Sequence, residues 1–283
     1  MSSYGNQWFA SSGGGGFYDY QIENSARFDA EGGGTGTGTR LYRTFGTVTS
    51  QTTFTMSVWV KRSETYENGG NTAWQQIICR GTGVEGGGSA FGFESGGGTA
   101  GGLDNRDRIV WYGLKGTSGG TNGGDDRING YFVDTNNWYH IVVRTDTSQS
   151  DADDKLRYYV NGELRTRVST NALNGDLDRF HATEDVHNIG SGSTAQYGFD
   201  GYMAEFIYAD GQSYAPTQFG ESKNGVWKPI DPTGTTFGNV GFHLKFQDSS
   251  DLGNDSSGNN NDWTSANFSA DHQTIDTPTN GTG

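Results

Sequence analysis

The chain holds a single cysteine, Cys79, in 283 residues. No disulfide can form within it, which fits assembly in a reducing cytoplasm. Proline is also scarce, four residues against 47 glycines. Collagen-like repeats need much proline and a strict Gly-X-Y period, and neither is present. Basic residues are outnumbered, 19 Lys and Arg against 33 Asp and Glu, giving a formal net charge of -14. Nucleic acid and anionic membrane surfaces are bound mainly through Lys and Arg, so neither is an expected partner. No apolar run approaches the length of a bilayer span. The opening MSSYGNQWFASSGGGGFYDY has no basic region and no apolar core, so no signal peptide is expected. No long segment shows a 3.6-residue apolar period; at most, APTQFGES (215–222) holds one helical turn.

What the chain has instead is period-two alternation rich in β-branched and aromatic residues. TFTMSVWVKR (53–62) is the clearest case, with Phe54, Met56, Val58 and Val60 on one face. SARFDA (25–30), QQIICRG (75–81), SAFGFES (89–95), RIVWYGL (108–114) and GYFVD (130–134) also read as strands. So do WYHIVVRT (138–145), KLRYYV (155–160), GYMAEFIYADG (201–211) and VGFHLKFQD (240–248). The glycine-rich stretches 81–102 and 115–126 read as turns and loops, because glycine supplies positive φ without steric cost. A phosphate cradle would need a helix after such a loop, and none follows. The expected fold class is all-β.

The stretch NNWYHIVVRTDTSQSDADDKLRYYVNGEL (136–164) tests this reading, since its Trp, His and Asp could also form a catalytic site. Asn161-Gly162 closes a hairpin onto ELRTRV (163–168), because both central turn positions tolerate positive φ. Alternation puts Tyr139, Ile141 and Val143 on one face, and Trp138, His140, Val142 and Arg144 on the other. His140 is then a structural strand histidine, and the acids of 146–154 sit in water.

Residues 1–24 read as an extended arm with a flexible Gly13–Gly16 run. Its aromatics Trp8, Phe9, Phe17, Tyr18 and Tyr20 need a surface to pack on, either their own domain or a neighbour. At the other end, QDSSDLGNDSSGNNND (247–262) offers Asp248, Asp251, Asp255, Asn259 and Asp262. Oxygen ligands this dense suit calcium, although the spacing is not that of an EF-hand. The alternative is a loop of Asx turns. Asp151, Asp153 and Asp154 are a weaker metal candidate.

Three stretches carry a family resemblance. They are NQWFASSGGGGFYDYQIENSARFD at the start, FDGYMAEFIYADGQSYAPTQFGE (199–221), and GVWKPIDPTGTTFGNVGFHLKFQDSSDLGNDSSGNNNDWTSANFS (225–269). With TFTMSVWVKR, WYHIVVRTDT and KLRYYVNGEL, they resemble the laminin-G-like jelly roll of the concanavalin A-like lectin and glucanase superfamily. Within it, the chain is most similar to bacteriophage virion proteins. The resemblance implies an antiparallel jelly-roll β-sandwich over 25–248, between the arm 1–24 and a polar C-terminal extension 249–283.

Glucanases on this fold use paired glutamates with an aspartate between them on one strand, and no such pattern occurs here. Glu205 stands alone, and Asp210 falls on the opposite face of a regular strand. The resemblance therefore implies a non-enzymatic virion protein, decorating a capsid or forming part of an appendage. Its partners would be other virion proteins and further copies of itself, joined through the arm. A carbohydrate-binding adhesin is the alternative, with a host glycan as partner. Its sugar would meet Trp74, Trp111, Tyr112, Asp125, Asp126 and Arg127 near the glycine-rich loops. No cofactor is expected apart from calcium at the acidic cluster.

Overall fold

The computed structural model describes residues 17–30, 38–65, 74–81, 88–94, 99–100, 103–104, 107–114, 125–169, 180–181, 185–192 and 197–280. Two antiparallel sheets pack face to face. The first runs in the order Glu163–Arg165, Leu156–Val160, Tyr139–Asp146, Thr53–Arg62, Gly201–Asp210, Ser25–Phe28, Gln273–Thr274. Phe242–Leu244 also pairs with Gly201–Asp210. The second runs Arg167–Ser169, Asp125–Ile128, Arg108–Tyr112, Ser89–Glu94, Trp74–Arg80, Val186–Ile189, Arg40–Thr44, Thr264–Ala266.

Alternation explains which residues fill the space between them. Phe54, Met56, Val58 and Val60 from the first sheet meet Phe91, Phe93, Ile109 and Trp111 from the second, all fully buried. Each such side chain contributes roughly 1.5–3 kcal/mol relative to exposure. Ile141 and Val143 join this core, while Val142 lies on the outer face, as the sequence predicts.

That outer face of the first sheet is itself covered. Val142, Tyr159, Ile207 and Phe219 form one outer cluster, and Ile22, Trp59 and Ala204 another. The cover is the segment after Asp210, with the 3-10 turn Pro216–Gln218 and the hairpin Gly220–Lys223/Val226–Pro229, together with residues 17–22. Coverage on both sides is why Thr53–Arg62 and Gly201–Asp210 are buried almost throughout.

Several expectations are corrected. GYFVD is not a strand: Phe132 is buried, but Tyr131 and Val133 are exposed. It alternates, but among the described residues no strand pairs with it. DDRI forms a strand instead, because Asp126 pairs with Arg167 and Arg127 with Glu94, so the charges are matched on the sheet. The polar extension is built into the sandwich, since Thr264–Ala266 extends the second sheet and Gln273–Thr274 the first. The loop 146–154 ends in a short helical turn, Ala152–Lys155, capped by Asp151.

Asp210 shows how a buried carboxylate is stabilised here. It is fully buried and accepts the backbone N–H groups of Thr49 at 2.7 Å, Ser50 at 3.3 Å and Val240 at 3.3 Å. Removing it leaves those donors without a partner. Asp210→Ala is expected to cost about 3 kcal/mol or more of unfolding free energy. A lower urea midpoint at unchanged slope checks this; an unchanged midpoint would contradict it.

Candidate functional site

Two Asn-Gly turns frame a cleft on the covered face of the first sheet. Asn161 and Gly162 take φ of 51° and 78°, and Asn224 and Gly225 take 55° and 81°. These values suit tight hairpin turns whose twist matches the strands. Between the two turns opens a cleft of about 590 Å³. Trp59 forms its buried floor, Trp138 and Trp227 line it half-buried, and Asp134, Asn137 and Glu163 supply polar groups.

Trp227 is fixed from several sides. Its indole Nε1 donates to His140 Nδ1 at 2.8 Å. Its ring lies against Gly162 and Gly220, and a β-carbon at either glycine would run into it. An indole can only donate, so Nδ1 of His140 carries no proton and Nε2 does. Nε2 faces Ser57 Oγ at 2.8 Å. The His140 ring stacks on Trp59, with centroids 4.6 Å apart and planes 19° apart. Burial pushes its pKa down to about 3, so it stays neutral and keeps this arrangement at ordinary pH. Asn161 completes the support by accepting the His140 backbone N–H through Oδ1 at 2.8 Å.

The rest of the cleft is tied down in the same manner. Trp138 Nε1 donates to Asp276 Oδ1 at 3.2 Å, and Lys61 pairs with the other oxygen at 2.9 Å. Asp134 accepts the Asn136 N–H at 2.8 Å and the Asn137 amide at 2.5 Å. These bonds hold its carboxyl below the usual range. The site thus joins rigid aromatic surfaces to hydroxyl-sized polar groups. Its volume falls within the range of small-ligand sites. Indole faces suit the C–H faces of a pyranose, and carboxylate and amide oxygens suit its hydroxyls.

The sugar residues expected from sequence are not brought to this cleft. Trp111 is fully buried and donates its indole N–H to Ser89 Oγ at 2.9 Å, so it is a core residue and cannot meet a sugar. Asp126 is buried against Arg167 at 2.5 Å, and burial pushes its pKa up to about 6. Arg127 is buried between Glu94 and Asp125, at 2.5 Å and 2.8 Å. Both are taken up by ion pairs within the second sheet. Trp74 and Tyr112 remain half-buried with ring centroids 5.9 Å apart, and Asp125 is half-buried beside Arg127.

The acidic cluster builds turns. Asp248 accepts from Ser250 N at 2.9 Å, Asp251 from Gly253 N at 3.2 Å, and Asp262 from Asp255 N at 2.8 Å. Asp255 Oδ1 takes His243 N and Ser257 N, and its Oδ2 takes Asn261 N. Asn259 donates to Gly238 O and Gly241 O. Among the described residues, no group of three or more His, Cys, Asp or Glu is placed to hold a metal ion. In this structure these carboxylates act as acceptors for turn amides.

In the arm, Trp8 and Phe9 lie outside the described residues. Tyr20 packs on its own domain, against the Trp59 cluster, and its hydroxyl donates to Glu205 at 3.0 Å. Phe17 and Tyr18 meet edge to face at 4.9 Å, with Lys223 Nζ 5.9 Å from the Phe17 ring centre. Lys223 and Lys228 hold Asp19 at 3.2 Å and 2.7 Å. Residues 17–22 therefore form part of the sandwich's cover, while the Phe17 ring stays exposed. Glu205 sits at a bulge with φ 45° and faces His243 Nε2 at 2.6 Å, while Asp210 bonds backbone amides elsewhere. The two carboxylates serve different partners and do not form a hydrolytic pair.

Sequence reasoning missed Trp59, Asp134, Asn137, Trp138, Glu163 and Trp227 as site residues. One signal could have found the cleft. KNGVW at 223–227 carries the same Asn-Gly between alternating flanks that marks the 161–162 hairpin.

A family model described as the concanavalin A-like lectin/glucanases superfamily matches residues 33–215, more than half of the chain. The chain belongs to this family. A solved structure of a candidate carbohydrate-binding protein from Bacteroides ovatus is similar at 16% identity and a TM-score of 0.58. The likeness covers 90% of this chain and 60% of that one, so the present chain spans about three fifths of its relative. At this identity the likeness is one of fold. Looser likenesses are to the sialyllactose-bound CBM40 of Ruminococcus gnavus IT-sialidase, and to the enzymatically active domain of tailspike protein 2 of bacteriophage CBA120. The first has 13% identity, a TM-score of 0.36, and covers 58% and 89% of the two chains. The second has 14% identity, a TM-score of 0.45, and covers 75% and 29%. No curated protein matches the chain.

Proposed function

We propose that this chain is a non-enzymatic protein of the bacteriophage particle surface, and that its jelly roll binds a host saccharide. The observation that carries the binding role is the cleft of Trp59, Trp138 and Trp227 with its polar rim. The particle role rests on the resemblance of residues 6–29, 199–221 and 225–269 to virion proteins. Within that role, the protein decorates the head or belongs to an appendage, beside other virion proteins and copies of itself. Saccharide binding here proceeds without calcium, because the cleft's own oxygens and indoles make the contacts.

A glycan screen of the purified protein, with and without EDTA, tests the binding role. Saturable binding that survives EDTA is expected; no binding to any glycan would contradict it. Deleting residues 1–16 tests the assembly role. The shortened protein is expected to keep its melting temperature and fail to join particles. Normal incorporation would show that Trp8 and Phe9 play no part in assembly.

A further inference from the structure

Resting on the reading of the cleft as a saccharide site, we propose that its ligand is an uncharged sugar. Sugars bearing a carboxylate or sulfate are rejected. Among the described residues, the lining holds two carboxylates, Asp134 and Glu163, and no Lys or Arg. Recognition of an anionic sugar needs a cation aimed at it, usually the planar fork of an arginine.

Among the described residues, three cations on or near the cleft's own segments are already engaged. Arg165 Nη2 lies 3.3 Å from Glu163 Oε2. Lys61 is paired with Asp276, the same carboxylate that takes the Trp138 indole. Lys223 bonds Asp19 at 3.2 Å and the Phe17 carbonyl at 3.1 Å. His140 sits directly behind Trp227, but burial keeps it neutral, and it supplies no positive charge. An anion entering the cleft would give up its water beside like charges, with only neutral donors such as Asn137 to replace that hydration. The formal charge of -14 adds repulsion at longer range.

The same groups suit a neutral ring. Asp134 and Glu163 accept from sugar hydroxyls, and Asn137 can both donate and accept. The stacking surfaces of Trp138 and Trp227 are indifferent to sugar charge, so discrimination falls to the carboxylates.

Calorimetry on matched pairs tests this: lactose against sialyllactose, and galactose oligomers against galacturonic acid oligomers. Wild type is compared with Trp227→Ala, Asn137→Ala and the Asp134→Asn/Glu163→Gln double variant. Asn137 is exposed, so its removal leaves the fold intact even if Trp227→Ala destabilises it. The neutral member is expected to bind at least tenfold more tightly, and the double variant to narrow that gap. Charged members that bind as well as neutral ones, with binding lost in Asn137→Ala, would overturn the charge rule while leaving the cleft as the site. Binding that neither Trp227→Ala nor Asn137→Ala weakens would overturn the cleft reading itself.

Discussion

Trp227→Ala is expected to weaken saccharide binding by tenfold to a hundredfold while the sandwich stays folded. The prediction follows from where the residue's energy is spent. Its ring rests on Gly162 and Gly220, and its N–H is held by His140, so its position is fixed before any ligand arrives. A pre-positioned aromatic surface loses little entropy on binding, which makes such residues dominant contributors. A tenfold loss corresponds to about 1.4 kcal/mol. The main core lies on the other side of the sheet and does not include Trp227. Binding is read by titration, and folding by near-ultraviolet circular dichroism and melting temperature. Wild-type affinity in a folded Trp227→Ala would contradict the assignment. Gly162→Ala should act on the same site by a different route, because its β-carbon would displace the indole.

The second large effect is acid lability. His140, His181 and His187 are buried, and burial pushes their pKa values down to about 3, 4 and 4. In the unfolded chain a histidine titrates near 6.5. Between those limits the unfolded chain binds protons that the folded protein refuses. Stability is therefore fully present above about pH 6.5 and is lost as pH falls toward 4. At about pH 4.5 each histidine costs on the order of 2–3 kcal/mol. Asp126 works the other way, since its pKa is pushed up to about 6 and the folded protein takes up that proton first. One carboxyl offsets only part of three histidines. Against a typical stability of about 5–15 kcal/mol, the net loss is large. A melting temperature at pH 4.5 far below that at pH 7.5 is expected, and equal values would contradict it. Loss of the neutral His140 lone pair would also free Trp227, so the cleft should fail as the fold weakens.

Much of the fold was legible because alternation is a local signal. Thr53–Arg62 falls where TFTMSVWVKR places it, and its four alternate apolar residues are core. Tyr139–Asp146 likewise splits its faces as read. The failures came where pairing or charge matching overrides local pattern. GYFVD alternates but pairs with no strand among the described residues, while the charged DDRI becomes a strand through ion pairs set by residues far along the chain. The C-terminal strands were hidden for the same reason, since Thr264–Ala266 is polar and depends on pairing with Arg40–Thr44.

The site was less legible than the fold. Trp138, His140, Asn161 and Glu163 all lie in the stretch 136–164, yet nothing local says that Trp59 and Trp227 join them. Trp227 comes from a hairpin folded over the outer face of the sheet, more than sixty residues beyond the Asn161-Gly162 turn it packs on. Composition near the glycine-rich loops pointed to Trp111 and Asp126 instead, and three-dimensional burial removed them. The carboxylates of 248–262 could be read as ligands or as turn-formers, and in this structure they accept turn hydrogen bonds.

A neutral saccharide in the tryptophan cleft of the first sheet is what the proposal requires. The most direct measurement is a crystal structure of the protein soaked with its best-binding neutral oligosaccharide. Sugar density against Trp138 and Trp227, with hydroxyls near Asp134 and Glu163, is the result predicted. Density over Trp74 and Tyr112 on the second sheet, with the cleft empty, would contradict it.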